Sequence, residues 1–325
     1  MTPTPDSTDQ IEDEPAPAPF ATDREGWLAR IEEIGEEAGY FQPLGARHWA
    51  FFMDESPTLL VTFETVDAIR ARSDGLPMGH ALAKMRGWSH LCLIADGDTW
   101  YRDPAIYRYF DRLVDDAFFE DFDRTILYGS GMGAYAACAY SVAAPGATVL
   151  AVRPVATLDP AVAGWDTRFL AQRRLCFTDR YGFAPDMTEG AGDVFVFYDP
   201  EQRLDAMHAA LFARPHVTPL RCRHLGSQIE RALAQMQILP AIIAAAGDGN
   251  LNPALFARFY RQRRRHMPYL REVMAQLDGA DRTYLTALLA RNVTARLQAP
   301  RFRRRLADLL AQGIVLPPEH GVGQP

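Results

Sequence analysis

Lysine is nearly absent from this chain. It occurs once, at Lys84, although Lys and Arg together number 34, so arginine supplies every other basic position. The bias is uniform along the sequence and reads as a compositional habit, not a local device. Cysteine is scarce as well. Cys92, Cys138, Cys176 and Cys222 are widely spaced with no C-x-x-C pair, which argues against a zinc or disulfide framework. Three of the four lie in apolar runs, where a thiol behaves as a small buried hydrophobe. Long apolar runs are missing too: one of the longest, Gln237 to Ala246, falls well short of a membrane span. With no basic and apolar leader at the start, the expectation is a cytoplasmic protein.

What remains is a globular composition. At 325 residues, 48% of them hydrophobic, the chain can build one large domain and an appendage. The net charge of −7 hides an asymmetry. Residues 1–40 carry eleven acidic side chains against Arg24 and Arg30, whereas residues 251–325 carry thirteen arginines against five acids. Ends of opposite charge attract each other or select separate partners.

Residues 1–20 are acidic and proline-rich, cannot bury a core, and are expected to form a disordered tail. Trp27, Leu28, Ile31, Ile34 and Ala38 recur at helical spacing up to Gly39, which predicts a lid or docking helix within residues 21–45. His48 to Met53 and Thr58 to Phe63, joined by a short turn ending at Pro57, read as an antiparallel hairpin at a sheet edge. Apolar runs then alternate with helical segments at Leu91 to Ala95, Thr125 to Tyr128, Thr148 to Val152, Val194 to Tyr198 and Val217 to Cys222. This pattern predicts an α/β domain over residues 46–228, with a mostly parallel sheet covered by helices on both faces. Ligands of such sheets bind at the strands' carboxyl ends. Three or four amphipathic helices are expected over residues 229–315. The first runs Ile229 to Ala246, the second starts at Asn252-Pro253, and Pro268 kinks or divides it. Residues 316–325 are expected to form a tail.

The most informative stretch is Tyr128-Gly-Ser-Gly-Met-Gly-Ala-Tyr135. It joins a strand-like run to a small-residue helix, the setting a G-x-S-x-G nucleophile elbow needs. Gly129 and Gly133 take the outer positions. The apex is then Gly131, and Ser130 stands one residue early, where a side chain turns toward the sheet or the turn.

The stretch resembles the α/β-hydrolase superfamily, and the resemblance runs from about Ala46 to Ser227. It implies a chain order of nucleophile, acid and histidine. Asp199, in Tyr198-Asp-Pro200, matches the acid position. The histidine position falls on Ser227 if the strand end follows an H-x-G-H pattern, and otherwise on His224. An active enzyme would use Ser130, Asp199 and His224 in displaced geometry, as an esterase or acyl transferase. The duller readings are a turn-forming Asp199, a Ser130 bonded within its turn, and a strand-end His224. The main expectation is a pseudoenzyme: a non-catalytic or strongly diverged member that binds a small anionic ligand or a partner protein, with no cofactor and no metal.

Ligand contacts are expected from Gly131 and Met132 at the apex, and from Asp96, Trp100 and Arg102 after one strand. Arg153 after another strand and Trp165 in the next connection complete the set. Arginine with tryptophan in such loops suits an anionic or sugar-like ligand, though Asp/Arg pairs also simply pin loops together. Ser73 to His80 occupies the place of an oxyanion-hole loop, with a helix-capping turn as the alternative. Asp205 and His208, at i and i+3, read as a solvated helix face. The clusters Arg261 to Arg265 and Arg301 to Arg305 permit a nucleic-acid footprint, but the acidic chain and the lack of interleaved aromatics favour a solvated face. Oligomeric state is left open.

A second resemblance is carried by Gly87-Trp-Ser-His-Leu91, Asp96-Gly-Asp-Thr-Trp100 and Tyr198 to His208. These runs look like a group of alphaproteobacterial proteins often labelled phosphoadenosine phosphosulfate reductase. The S-G-G-x-D-S phosphate loop and the E-C-G-[IL]-H segment of such reductases do not occur in this sequence.

Overall fold

A computed structural model describes residues 23–318. The tail expected over residues 1–20 lies outside the described residues, as does most of the one expected over 316–325. The chain divides into two compact units, Met1–Val194 and Phe195–Pro325.

The first unit opens with α1 (Arg24–Ala38), capped by the Asp23 carboxylate, which accepts the Gly26 amide at 2.8 Å. Trp27 and Ile31 are each 1% exposed and pack with Phe51, Val66 and Ile94. The helix is docked by its apolar stripe, and the Trp27 indole donates to the Gly75 carbonyl at 2.8 Å. A strand the sequence reading lacks follows directly: β1 (Gly39–Pro43) pairs antiparallel with β2 (His48–Met53).

The expected hairpin is corrected. β3 (Thr58–Thr65) is not a partner of β2, because β4 (Ser89–Ala95) lies between them, antiparallel to β2 and parallel to β3. Burial explains the outcome. Leu59 to Phe63 are buried at every position, on both faces of the strand, which belongs to an interior strand and not to an edge. β3 accordingly takes β5 (Arg124–Ser130) on its other side, and β5 takes β6 (Thr148–Val152), all parallel. The strand order in this unit is β1-β2-β4-β3-β5-β6. β4 is buried at all seven residues, so both faces of the sheet are covered there. The helices of this unit are α2 (Val66–Arg70), α3 (Met78–Arg86), α4 (Pro104–Asp115), α5 (Met132–Ala139), α6 (Pro160–Ala163) and α7 (Ala184–Met187). α5 packs against β3, β5 and β6, and α3 against β3 and β4.

β7 (Asp193–Tyr198) carries the chain into the second unit, where β8 (Val217–Arg221) is its neighbour and α8 (Arg203–Leu211) connects the two. The Cys222 amide extends that pairing to the Tyr198 carbonyl at 2.8 Å. α8 corrects one expectation: Asp205 and His208 are buried, so their shared helix face is turned inward and not to solvent.

Among the described residues six helices follow, in place of three or four. The segment expected as one helix over Ile229 to Ala246 is α9 (Ile229–Gln235) and α10 (Leu239–Gly247), bent by 94° at a break where Gln237 takes a φ of 57°. Asn252 caps α11 (Pro253–Phe259), its Oδ1 accepting the Leu255 amide at 2.9 Å. A 3-10 turn over Tyr260–Arg264 comes next, then α12 (Met267–Gly279), α13 (Thr283–Thr294) and α14 (Pro300–Ala311). The segment is divided near Pro268, as one of the two expectations had it: the proline sits in the first turn of α12, where it starts a helix and kinks none. Leu270, Ala290, Val293, Ala299 and Phe302 form the core of these last three helices. Among the described residues, no single helix is long and apolar enough to cross a membrane.

Candidate functional site

The turn between β5 and α5 is built as the glycine spacing requires. Gly131 holds φ 56° and ψ −115°, a conformation open to glycine and strained for any other residue. Its amide donates to the Val152 carbonyl at 2.9 Å and its carbonyl accepts the Tyr135 amide at 3.1 Å, so the apex ends one strand pairing and starts the helix. A Cβ on Gly129 would overlap the Gly133 carbonyl, and a Cβ on Gly133 would overlap the Phe63 carbonyl of β3. A Cβ on Gly131 would meet nothing within 4 Å. The strand, turn and helix are therefore packed for an elbow, with open space where the apex side chain would stand. Ser130 is half-buried at the end of β5, opposite Val152.

The loop between β4 and α4 comes down on this turn. Trp100 and Tyr101 both have positive φ, 54° and 55°, and the Trp100 amide donates to the Met132 sulfur at 3.0 Å. The Trp100 ring lies edge-on to Tyr135, Phe169 and Phe177. Three of the expected ligand residues, Gly131, Met132 and Trp100, are thus brought together.

Two others hold the protein itself. Asp96 pairs with Arg24 of α1 at 2.7 Å, and its carbonyl accepts from Nε of Arg47 at 3.0 Å. Arg102 is buried: Nε donates to the Cys176 carbonyl at 2.9 Å, Nη1 to the Arg180 carbonyl at 2.8 Å, and the Asp179 carboxylate closes the web. It pins residues 176–180. Arg102→Met should destabilise the protein by about 2 kcal/mol or more, since the charged hydrogen bonds from one buried guanidinium to Cys176, Arg180 and Asp179 are lost together. Urea unfolding measures the loss, and tryptic cleavage at Arg180 should appear in the folded variant. Arg153, with φ 53°, follows β6, and the Trp165 indole donates to the Val162 carbonyl at 3.1 Å. In the segment Ser73 to His80, the Glu64 carboxylate accepts the Met78 amide at 2.8 Å, which caps the start of α3.

Sequence reasoning missed a buried polar chain in the first unit. His90 Nε2 lies 3.0 Å from the Thr62 hydroxyl, which donates to Glu64 Oε1 at 3.0 Å. That direction makes Nε2 the protonated nitrogen, and Nδ1 has no partner among the described residues. A second proton would have nothing to bond, and burial pushes the His90 pKa down to about 3. His48, 1% exposed, sits 2.7 Å from the Thr99 hydroxyl. Burial lowers its pKa to about 4, against the opposing pull of Asp103. Signals for these groups existed only as single histidines in apolar strands.

In the second unit, Asp199 is buried and both of its oxygens are taken by backbone. Oδ1 accepts the Glu201 amide at 3.0 Å, and Oδ2 accepts the Gly226 amide at 2.8 Å. The carboxylate ties the turn after β7 to the loop after β8. It does not hydrogen-bond His224. That histidine, at φ 64°, places Nδ1 3.0 Å from Glu201 Oε2, an ion-pair distance without hydrogen-bond alignment. Its ring stands edge-on to Tyr269. Cys222 is buried and its thiol is pushed up by that burial, so it is no thiolate nucleophile. Arg221, Arg223 and the run Arg261 to Arg264 meet here around a groove of about 670 Å³, a meeting of residues some forty positions apart that the sequence reading did not assemble.

Strand order, parallel core and the turn at Gly131 define an α/β-hydrolase-like fold. No protein-family model and no curated protein matches the sequence. Solved structures similar to it include an esterase from Pyrobaculum calidifontis, at 13% identity and a TM-score of 0.42 over 71% of this chain and 95% of that one. The capsule O-acetyltransferase of Neisseria meningitidis serogroup A is similar at 12% identity and a TM-score of 0.38, over 62% of this chain and 94% of that one. The Glycosylation Associate Protein (Gap123) complex from Streptococcus agalactiae is similar at 14% identity and a TM-score of 0.40 over 62% of this chain. There the match spans 45% of the other chain, less than half of its length.

Proposed function

We propose that this protein is a diverged α/β-hydrolase-like binder, holding a small anionic ligand or a partner protein and turning over no ester. The observation that carries the reading is Gly131. The elbow keeps its strained backbone and its close-packed glycines, yet the apex offers no hydroxyl to a substrate. Asp199 supports it further: the carboxylate in the acid position is occupied by two amides and orients no imidazole. A cytoplasmic setting belongs to the same reading.

A second reading, a serine esterase or acyl transferase working through Ser130 and His224, draws on the Glu201 carboxylate beside the His224 ring. The two readings separate in one assay. Purified protein should hydrolyse p-nitrophenyl acetate no faster than a heat-denatured control. Robust turnover that vanishes in Ser130→Ala and His224→Gln, but survives in the exposed-site control Glu189→Ala, would replace the binding reading with the enzymatic one.

A further inference from the structure

β8 comes last in the strand order, beside β7, and contains Pro219, a residue that a strand accepts where its amide needs no partner. Arg221 closes the strand and Arg223 stands in the turn just after it, both exposed, while Leu220 and Cys222 beside them are buried. Facing them, the 3-10 turn after α11 repeats every three residues, so Arg261 and Arg264 stand one above the other. The Arg264 carbonyl accepts from Arg296 at 3.3 Å, which fastens the turn. Both pairs line the groove of about 670 Å³, and no aspartate or glutamate lines it. Among the described residues, none of these four guanidiniums has a carboxylate partner.

A fifth arginine is aimed. Arg263 donates to the Tyr260 carbonyl at 2.7 Å and lies over the Tyr260 ring at 4.5 Å, with the Tyr269 ring at 5.9 Å. Tyr260 is itself fixed, stacked on Phe256 and donating its hydroxyl to the Arg223 carbonyl at 3.2 Å. His224 lines the same groove with Nδ1 turned to Glu201, which leaves Nε2 for a ligand. Five like charges converging on one concavity repel one another until an anion enters, and a guanidinium fork matches phosphate oxygens in pairs.

We infer that this groove binds a phosphorylated small molecule. Its volume falls in the range of small-molecule sites, roughly 300–1,000 Å³, and its walls combine arginines for phosphate with tyrosine side chains that hold Arg263 in place. A long nucleic acid fits less well: the charges form a bounded concavity and not a stripe, on a chain whose net charge is −7. The inference deepens the binding reading above by naming a ligand class and a place, and its test reads binding at the groove alone. An ester-hydrolysing protein could pass that test, and an inert one could fail it.

Full-length protein is titrated calorimetrically with inorganic pyrophosphate and with ADP at low salt. One saturable site is expected for each. Arg261→Gln/Arg264→Gln should weaken it roughly 10- to 100-fold through lost charged hydrogen bonds, and Arg221→Gln/Arg223→Gln, from the strand side, should do the same. Arg301→Gln/Arg304→Gln, on the exposed side of α14, should leave it unchanged. Absence of binding at millimolar probe overturns the inference, as does equal weakening by all three pairs, which would reduce it to net charge. Tighter, steeply salt-dependent binding of a 20-nucleotide RNA would assign the groove to nucleic acid instead.

Discussion

Gly129→Ala and Gly133→Ala should each leave the protein unable to hold its native core, while Gly131→Ser folds. The three glycines lie within five residues, and their roles differ for reasons of space and torsion. At Gly129 and Gly133 a methyl group would run into backbone, of Gly133 and of Phe63 respectively. Backbone cannot swing aside as a side chain can: Gly133 is part of α5, and Phe63 lies on β3, which is paired with β5 along Thr58 to Phe63. Relief would require separating α5 from β5 or β5 from β3, so the expected cost is about 3 kcal/mol or more, at the severe end for overpacking. At Gly131 the space is open and only the torsion resists, at roughly 1–3 kcal/mol for a non-glycine residue in such a region. Chemical denaturation of the three variants should rank Gly131→Ser as the mildest. If Gly131→Ser were instead the most damaging, the apex would be filled in solution and the elbow wrongly described.

The parallel strands were readable because each is a short, unbroken apolar run between turn residues, and Leu91 to Ala95 is buried at all of its positions as such a run implies. The elbow was readable because glycine at 129, 131 and 133 has few other uses between a strand and a helix. Pairing was less legible. β2 and β3 are close in sequence and look like a hairpin, yet β4, thirty residues on, inserts between them. Local turn residues say nothing of a partner that arrives later in the chain. β1 escaped because Gly39-Tyr-Phe-Gln-Pro43 has neither the length nor the apolar content of a strand on its own, and β2 supplies the pairing that makes it one. Site residues divide in the same way. Trp100 and Met132 do meet at the elbow, but Arg102 and Asp96 are consumed by Asp179 and Arg24, partners that no spacing rule points to. The arginine groove stayed hidden because its halves, at 221–223 and 261–264, are each unremarkable until β8 and the turn after α11 face one another.

Acidification should unfold the protein through its buried histidines. His48 and His90 have pKa values lowered from 6.5 to about 4 and about 3, both mainly by burial. For a group whose folded pKa is depressed below its unfolded value, the unfolded chain binds the extra proton first. Stability contributed by the neutral rings is therefore complete above about pH 6.5 and is lost as the pH falls toward the folded values. At pH 5 each histidine should cost about 2 kcal/mol relative to pH 8, or about 4 kcal/mol together, a large share of an ordinary folding free energy. His80, also lowered by burial and by Lys84 beside it, acts in the same direction. The carboxylates of Asp103 and Asp96 oppose the shift at His48 without reversing it, because the ring is out of water and Nδ1 stands 3.9 Å from Asp103. Urea midpoints measured from pH 8 to pH 5 should fall steadily, most steeply below pH 6.5. In His48→Gln, destabilised at neutral pH by the loss of the Thr99 contact, the decline over that window should be shallower by about half. A decline equally steep in the variant would move the acid sensitivity away from His48. It would then rest on His90, whose unpartnered Nδ1 inside the sheet leaves a second proton with nothing to bond.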